Sequence, residues 1–203
     1  MSSFFTRCLS AVCVAASLTY ALSGCSPAAP AKPAVTFQGQ DVSGSLNIQD
    51  FTLTDHHGQP RKLSEFRGKA VAVYFGYTHC PDVCPTTLAE LAQSMRELGP
   101  QAEQVQVLFI TIDPARDTLD LLKSYAPAFD PRFIGLTGSP EHIAKTAGQF
   151  RALYRRQDGA NGDYTMDHSA GAYLLDREGT LRVNVPYGSG AAVFTHDLRA
   201  LLQ

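Results

Sequence analysis

The chain has 203 residues and a formal net charge of −2, with 44% hydrophobic and 18% charged residues. That length holds one ordinary globular domain plus a targeting segment. So mild a charge, with no basic patch interleaved with aromatics, excludes nucleic acid as a partner.

Arg7 is the only charged residue ahead of position 25, and an apolar run from Leu9 to Leu22 follows it. Ser and Thr interrupt that run, and it is too short for a comfortable membrane-spanning helix, so residues 1–24 are expected to be an export signal. The run ends in Leu22-Ser23-Gly24-Cys25, which resembles a bacterial lipobox. Cys25 is therefore the expected lipidation site, and burial of acyl chains at roughly 0.8 kcal/mol per CH₂ would hold the domain to a membrane. Ser26 does not choose between the inner and the outer membrane. Loss of Arg7 with the signal takes the charge from −2 to −3. Residues 25–43, rich in Pro and Ala, form an extended tether with no apolar face. The folded domain is expected over residues 44–203, long enough to bury a core without staples.

Within the domain, Phe51-Thr-Leu-Thr-Asp begins a hairpin with His56, His57 and Gly58 at a solvated tip. Ala70-Val-Ala-Val-Tyr-Phe-Gly is a buried central strand. Thr86 to Leu98 has the period of a helix through Leu88, Leu91, Met95 and Leu98. A second buried strand starts at Val105, and Asp117 or Thr118 caps a helix carrying Leu121, Leu122 and Tyr125. A short strand at Phe133 follows, then a helix opened by Ser139-Pro140. A hairpin pairs Ala172–Leu175 with Leu181–Val185, and a final helix runs to Leu202. The order implies an α/β domain with a central mixed sheet, helices on both faces and an N-terminal hairpin extension. A cysteine pair between the first central strand and its helix is the position of the redox centre in a thioredoxin-like fold.

Of five cysteines, Cys8 and Cys13 lie in the signal, which leaves Cys80 and Cys84 in the domain. One close pair in an exported protein is a disulfide, a redox couple or a metal site. If the helix begins at Pro81, the two cysteines lie on one face about 6 Å apart. The helix N-terminus would then favour the thiolate in both. The spacing of three intervening residues differs from the two of thioredoxin-type dithiols, and structural zinc sites need more ligands than this chain clusters in sequence. Two thiolates suit a soft monovalent ion, and an added imidazole would admit Cu(II). Six histidines are available. His56 and His57 are placed in solvent, His79 in local packing, and His142 and His196 on helix surfaces. His168, in Met166-Asp167-His168-Ser169 ahead of the strand at Ala172, is read as a loop residue open between a third ligand and a bystander.

Three motifs together are specific: Tyr77-Thr78-His79-Cys80-Pro81-Asp82-Val83-Cys84-Pro85, then Asp113-Pro-Ala-Arg-Asp117-Thr118, then Asp167-His168-Ser169 ahead of Tyr173-Leu-Leu-Asp176. From about Phe51 onward the chain closely resembles the Sco/SenC family. The resemblance implies a membrane-tethered thioredoxin-like domain that binds one copper ion, Cu(I) or Cu(II), through Cys80, Cys84 and His168. Asp113 and Asp167 would support these ligands from behind. It also implies a metallochaperone role in building the copper A centre of cytochrome c oxidase, with subunit II as partner. A further periplasmic copper chaperone or a thioredoxin-like reductant stands as an optional second partner. The placement implied is the periplasmic side of a bacterial membrane. Many members use a transmembrane helix where this chain has Cys25, and the turn at Asp176-Arg-Glu-Gly179 lacks a proline often found there. The alternative is an enzyme, a periplasmic thiol–disulfide oxidoreductase using Cys80 and Cys84 without metal and reducing cysteines of the oxidase subunit. His168 discriminates, because a dithiol exchanger does not need it.

Overall fold

The computed structural model describes residues 35–203, so the expected signal, Cys25 and the front of the tether lie outside the described residues. In chain order the elements are β1 (Gln40–Asp41), β2 (Thr52–Asp55), β3 (Pro60–Lys62), β4 (Ala70–Gly76), α1 (Val83–Leu98), β5 (Val105–Thr111) and α2 (Leu119–Phe129). There follow β6 (Ile134–Thr137), α3 (Pro140–Gln149), β7 (Tyr154–Asp158), β8 (Tyr164–His168), β9 (Ala172–Leu175), β10 (Leu181–Val185) and α4 (Ala191–Leu201).

Eight strands form one sheet in the order β1-β10-β9-β4-β5-β6-β2-β3. The pairs β4–β5 and β5–β6 are parallel, and β9 lies antiparallel on the other side of β4. Every residue of β4 and β5 is buried, as a strand covered on both faces requires. Alternation along β4 assigns those faces. Tyr74 turns toward α1 and α2, where its ring meets Phe109 at 6.3 Å and Phe109 meets Tyr125 of α2 at 5.4 Å. Phe75 turns the other way, onto Phe150 at the end of α3 at 5.4 Å and Tyr173 of β9 at 6.1 Å. The expected mixed sheet with helices on both faces, extended by the β2–β3 hairpin, is present.

The sheet begins ahead of Gly44. β1 pairs with β10, and the Gln38 and Gly39 amides each donate 2.8 Å bonds to the buried Asp197 carboxylate of α4. Thr118, not Asp117, caps α2 by accepting from the Leu121 amide, and Ser139 caps α3 by accepting from His142. His196 sits in the middle of α4. His56 departs furthest from expectation. It is buried, because its Nδ1 accepts a 3.0 Å bond from the Gly135 amide of β6 while its Nε2 meets His57 Nε2 at 3.1 Å. Only His57 faces solvent.

The pair β7–β8 is a separate two-stranded sheet that no hydrophobic pattern announces. Its strands read Tyr-Arg-Arg-Gln-Asp and Tyr-Thr-Met-Asp-His and lie mostly in solvent, so neither carries a clean apolar face. β9 is antiparallel to β4, so its start, the end of β8 and the carboxyl ends of β4 and β5 share one edge of the sheet. Sites in open α/β sheets form at the carboxyl ends of strands.

Candidate metal centre

β4 stops at Gly76 because the next helix comes very close there. A Cβ on Gly76 would lie 2.8 Å from Cys84 Sγ, 2.9 Å from Phe109 and 3.1 Å from Tyr74. Only glycine admits all three. The chain turns through Tyr77 to Asp82 and enters α1 at Val83. Cys84 is thus in the first helical turn and Cys80 precedes the helix, so the pair does not share a helical face as the spacing alone suggests. The turn brings the two together differently: the Cys84 amide donates to Cys80 Sγ at 3.4 Å. Pro85 is tolerated in this first turn, where backbone N–H groups have no intrahelical partner. Both thiols are free, Cys84 buried and Cys80 half-buried.

Asp117 fixes this turn from behind. Its buried carboxylate accepts from the Thr78 amide at 3.1 Å, from Thr78 Oγ1 at 2.6 Å and from Thr111 Oγ1 at 2.5 Å. The Asp113–Thr118 segment reads in the sequence as support for the site and as a helix cap, and here Asp117 holds the turn while Thr118 takes the cap. His79 stays outside the cluster, exposed, with Nδ1 3.1 Å from Thr78 Oγ1.

His168 arrives on β8, as the last residue of a strand paired with Tyr154, and not on a loop. Two bonds between Ser169 and Leu153, at 2.8 and 3.0 Å, close that end of the hairpin. His168 Nδ1 bonds the Ser169 carbonyl at 3.0 Å, so Nδ1 carries the proton and Nε2 presents its lone pair. That lone pair points at the cysteines: Nε2 lies 3.4 Å from Cys84 Sγ. The rings of Tyr77 and Tyr74 stand edge-on to the imidazole at 6.0 and 6.3 Å. At the far end the hairpin is tied to the β5–α2 loop. Arg116 Nη1 donates to the Tyr164 carbonyl at 2.8 Å, its guanidinium lies 3.5 Å over the Tyr164 ring, and Tyr164 OH donates to Asp113 at 2.8 Å. Asp113 reaches the hairpin through Tyr164 and Arg116 and touches no member of the cluster. Asp167 is exposed and turned outward, accepting from Gln157 at 2.6 Å, so it does not back the imidazole.

The result is a group of three donors, Cys80 Sγ, Cys84 Sγ and a His168 ring nitrogen, all within 4.8 Å of one another. Burial pushes the Cys84 thiol up to about 12, against the Tyr77 backbone N–H, which favours the thiolate. The expected activation of this thiol by the helix N-terminus is therefore overridden by desolvation. Burial likewise lowers the His168 pKa, which keeps the imidazole neutral and able to ligate near pH 7. A buried S₂N set without a carboxylate fits a soft cation, whose charge would replace the proton on Cys84.

A model of the SCO1/SenC family matches residues 40–203. The chain is 45% identical over 133 residues to the mitochondrial SCO2 homolog of Mus musculus, covering 64% of this chain and 52% of the mouse protein. It thus spans about half the length of that curated relative. Among solved structures, Bradyrhizobium japonicum ScoI with copper bound superposes with a TM-score of 0.71 at 40% identity, covering 76% of this chain and 98% of that one. Yeast Sco1 with copper bound gives a TM-score of 0.67 at 30% identity, covering 74% and 85%. The mixed sheet and its helices match those of these structures.

Proposed function

Because the chain belongs to the SCO1/SenC family, we propose that it binds one copper ion as cargo through Cys80, Cys84 and His168 and serves in cytochrome c oxidase assembly. The observation that carries this reading is the convergence of two sulfurs and the Nε2 lone pair of His168, from three separate elements, on one partly buried point. Two solved relatives bind copper, and the donor set found here is the soft kind copper takes. The finer reading is a metallochaperone for the copper A centre on subunit II, held at the periplasmic side of a bacterial membrane by a lipid on Cys25. Among the described residues no helix is long and apolar enough to cross a membrane.

The test is titration of the reduced protein with Cu(II). One equivalent is expected to bind, with an intense thiolate-to-copper absorption band. His168→Ala should abolish that band and weaken binding by roughly 100-fold or more, beyond the loss expected for a residue that only supports a ligand. An unchanged spectrum in His168→Ala would overturn the ligand assignment.

A second reading has one observation in its favour: Cys80 and Cys84 are already in contact, amide to sulfur. As a thiol–disulfide reductant the pair would give two electrons to a partner's disulfide and close its own, with half-buried Cys80 as the attacking sulfur. A thioredoxin-like dithiol would then have to restore it.

A further inference from the structure

We propose that the Tyr74 hydroxyl is a positioning group for the metal site, donating a hydrogen bond to Cys84 Sγ once that sulfur is a metal-bound thiolate and thereby favouring Cu(I) over Cu(II). The proposal rests on the reading of Cys80, Cys84 and His168 as copper ligands.

Tyr74 is fully buried in β4, and its hydroxyl is one of the few buried polar groups among the described residues with no hydrogen-bond partner. Buried hydroxyls are normally paired, and each exception needs an explanation. Strand alternation sends this side chain to the face that α1 covers, together with Phe109. Gly76 leaves the space in which Tyr74 and the Cys84 sulfur approach one another, and the same ring stands edge-on to His168. A second unpartnered buried hydroxyl, that of Tyr125 on α2, lies farther back among Phe109 and Phe129. Tyr74, in contrast, shares with the Cys84 sulfur the space that Gly76 leaves open.

A protonated thiol is a weak acceptor and gives the Tyr74 O–H little to bind. Replacement of the thiol proton by a metal ion turns the sulfur into a charged acceptor, and hydrogen bonds to charged acceptors are about twice as strong. The metal-free fold therefore carries a donor whose acceptor appears only on loading. A monovalent ion leaves more negative charge on the sulfur than a divalent one, so the bond strengthens with Cu(I). Hydrogen bonding around a ligating cysteine is a known lever on the copper potential.

Tyr74→Phe removes only the hydroxyl and is the test, made in the full chain with Tyr125→Phe beside it. Tyr74→Phe is expected to bind one Cu(II), with the thiolate-to-copper band at longer wavelength than in the wild type. Its ratio of Cu(I) to Cu(II) affinity should fall roughly tenfold, the low end for loss of a partner to a ligand. The metal-free melting temperature should not fall, because no existing bond is lost. Tyr125→Phe should shift the band less. A Tyr74→Phe band and affinity ratio equal to wild type, or an equal shift in Tyr125→Phe, overturns the proposal. Absence of the band from the wild type itself would instead bring down the copper reading on which it rests.

Discussion

The cysteine turn and the His168 hairpin supply the same site by opposite means. The turn hangs between two fully buried strands and a helix, packed against Gly76 and held by the buried Asp117 carboxylate. The hairpin is a two-stranded sheet outside the main one, lying mostly in solvent, and Leu153 beside its closing bonds is 77% exposed. Isolated two-stranded ribbons are marginal in water, so this one depends on its ties: Ser169 to Leu153 at one end, Arg116 and Asp113 to Tyr164 at the other. Two ligands are thus fixed by the core, and the third is delivered by a ribbon that meets the core through the half-buried Tyr154 and Met166. A protein that must take up an ion and release it gains from that division, because one ligand can withdraw without disturbing the fold.

Asp117→Ala is the strongest way to break the first region. It leaves the Thr78 amide and two hydroxyls without their acceptor, and the cost is expected to be roughly 3 kcal/mol of stability. Denaturant melts of the metal-free protein would show it, and stability and copper affinity should fall together. Arg116→Ala acts on the second region and should separate them. The hairpin loses its tie to the β5–α2 loop and the ring stack on Tyr164. Copper affinity is expected to drop about tenfold, as for loss of a supporting partner. The melting midpoint should fall less than in Asp117→Ala, that fall coming from the buried Asp113 carboxylate left without its guanidinium. Equal loss of stability in both variants would show that the hairpin is part of the cooperative core after all.

The same contrast explains what the sequence made legible. β4 and β5 are unbroken apolar runs, and a close cysteine pair at the end of one is visible without coordinates. β8 does alternate, with Tyr164, Met166 and His168 half-buried and Thr165 and Asp167 exposed, but it is five residues long with a charged partner strand, so His168 sits on what reads as a loop. Its role came from resemblance, and only the fold shows how Nε2 is aimed. Pairings across long separations were equally hidden: Thr78 with Asp117, Tyr164 with Asp113, and His56 with Gly135. His56 looked like a turn residue because hairpin tips are usually wet, and nothing local shows that β6 closes over it. The Cys84 thiol misled for a related reason. The helix N-terminus is a local feature and favours the thiolate, but burial is a tertiary one and dominates.

Burial of two histidines, His168 in the hairpin and His56 outside both regions beside β6, leads to the smallest effect, a loss of stability on mild acidification. His56 has its pKa lowered by burial first and by His57 second, and burial lowers that of His168. In the unfolded chain both take up a proton near pH 6.5, while the folded chain holds them neutral to lower pH. The unfolded state therefore binds more protons below about pH 6.5, and stability falls as pH drops through that value. For His56 the reason is structural: a proton on Nδ1 would meet the Gly135 amide that now donates to it. Denaturant melts at pH 7.5 and 5.5 should show the metal-free wild type weaker at the lower pH. His56→Gln should lose part of that difference, because its amide oxygen can accept from Gly135 at either pH. A pH dependence unchanged in His56→Gln would assign the whole slope to His168 and the hairpin, and would make the second region the acid-sensitive one.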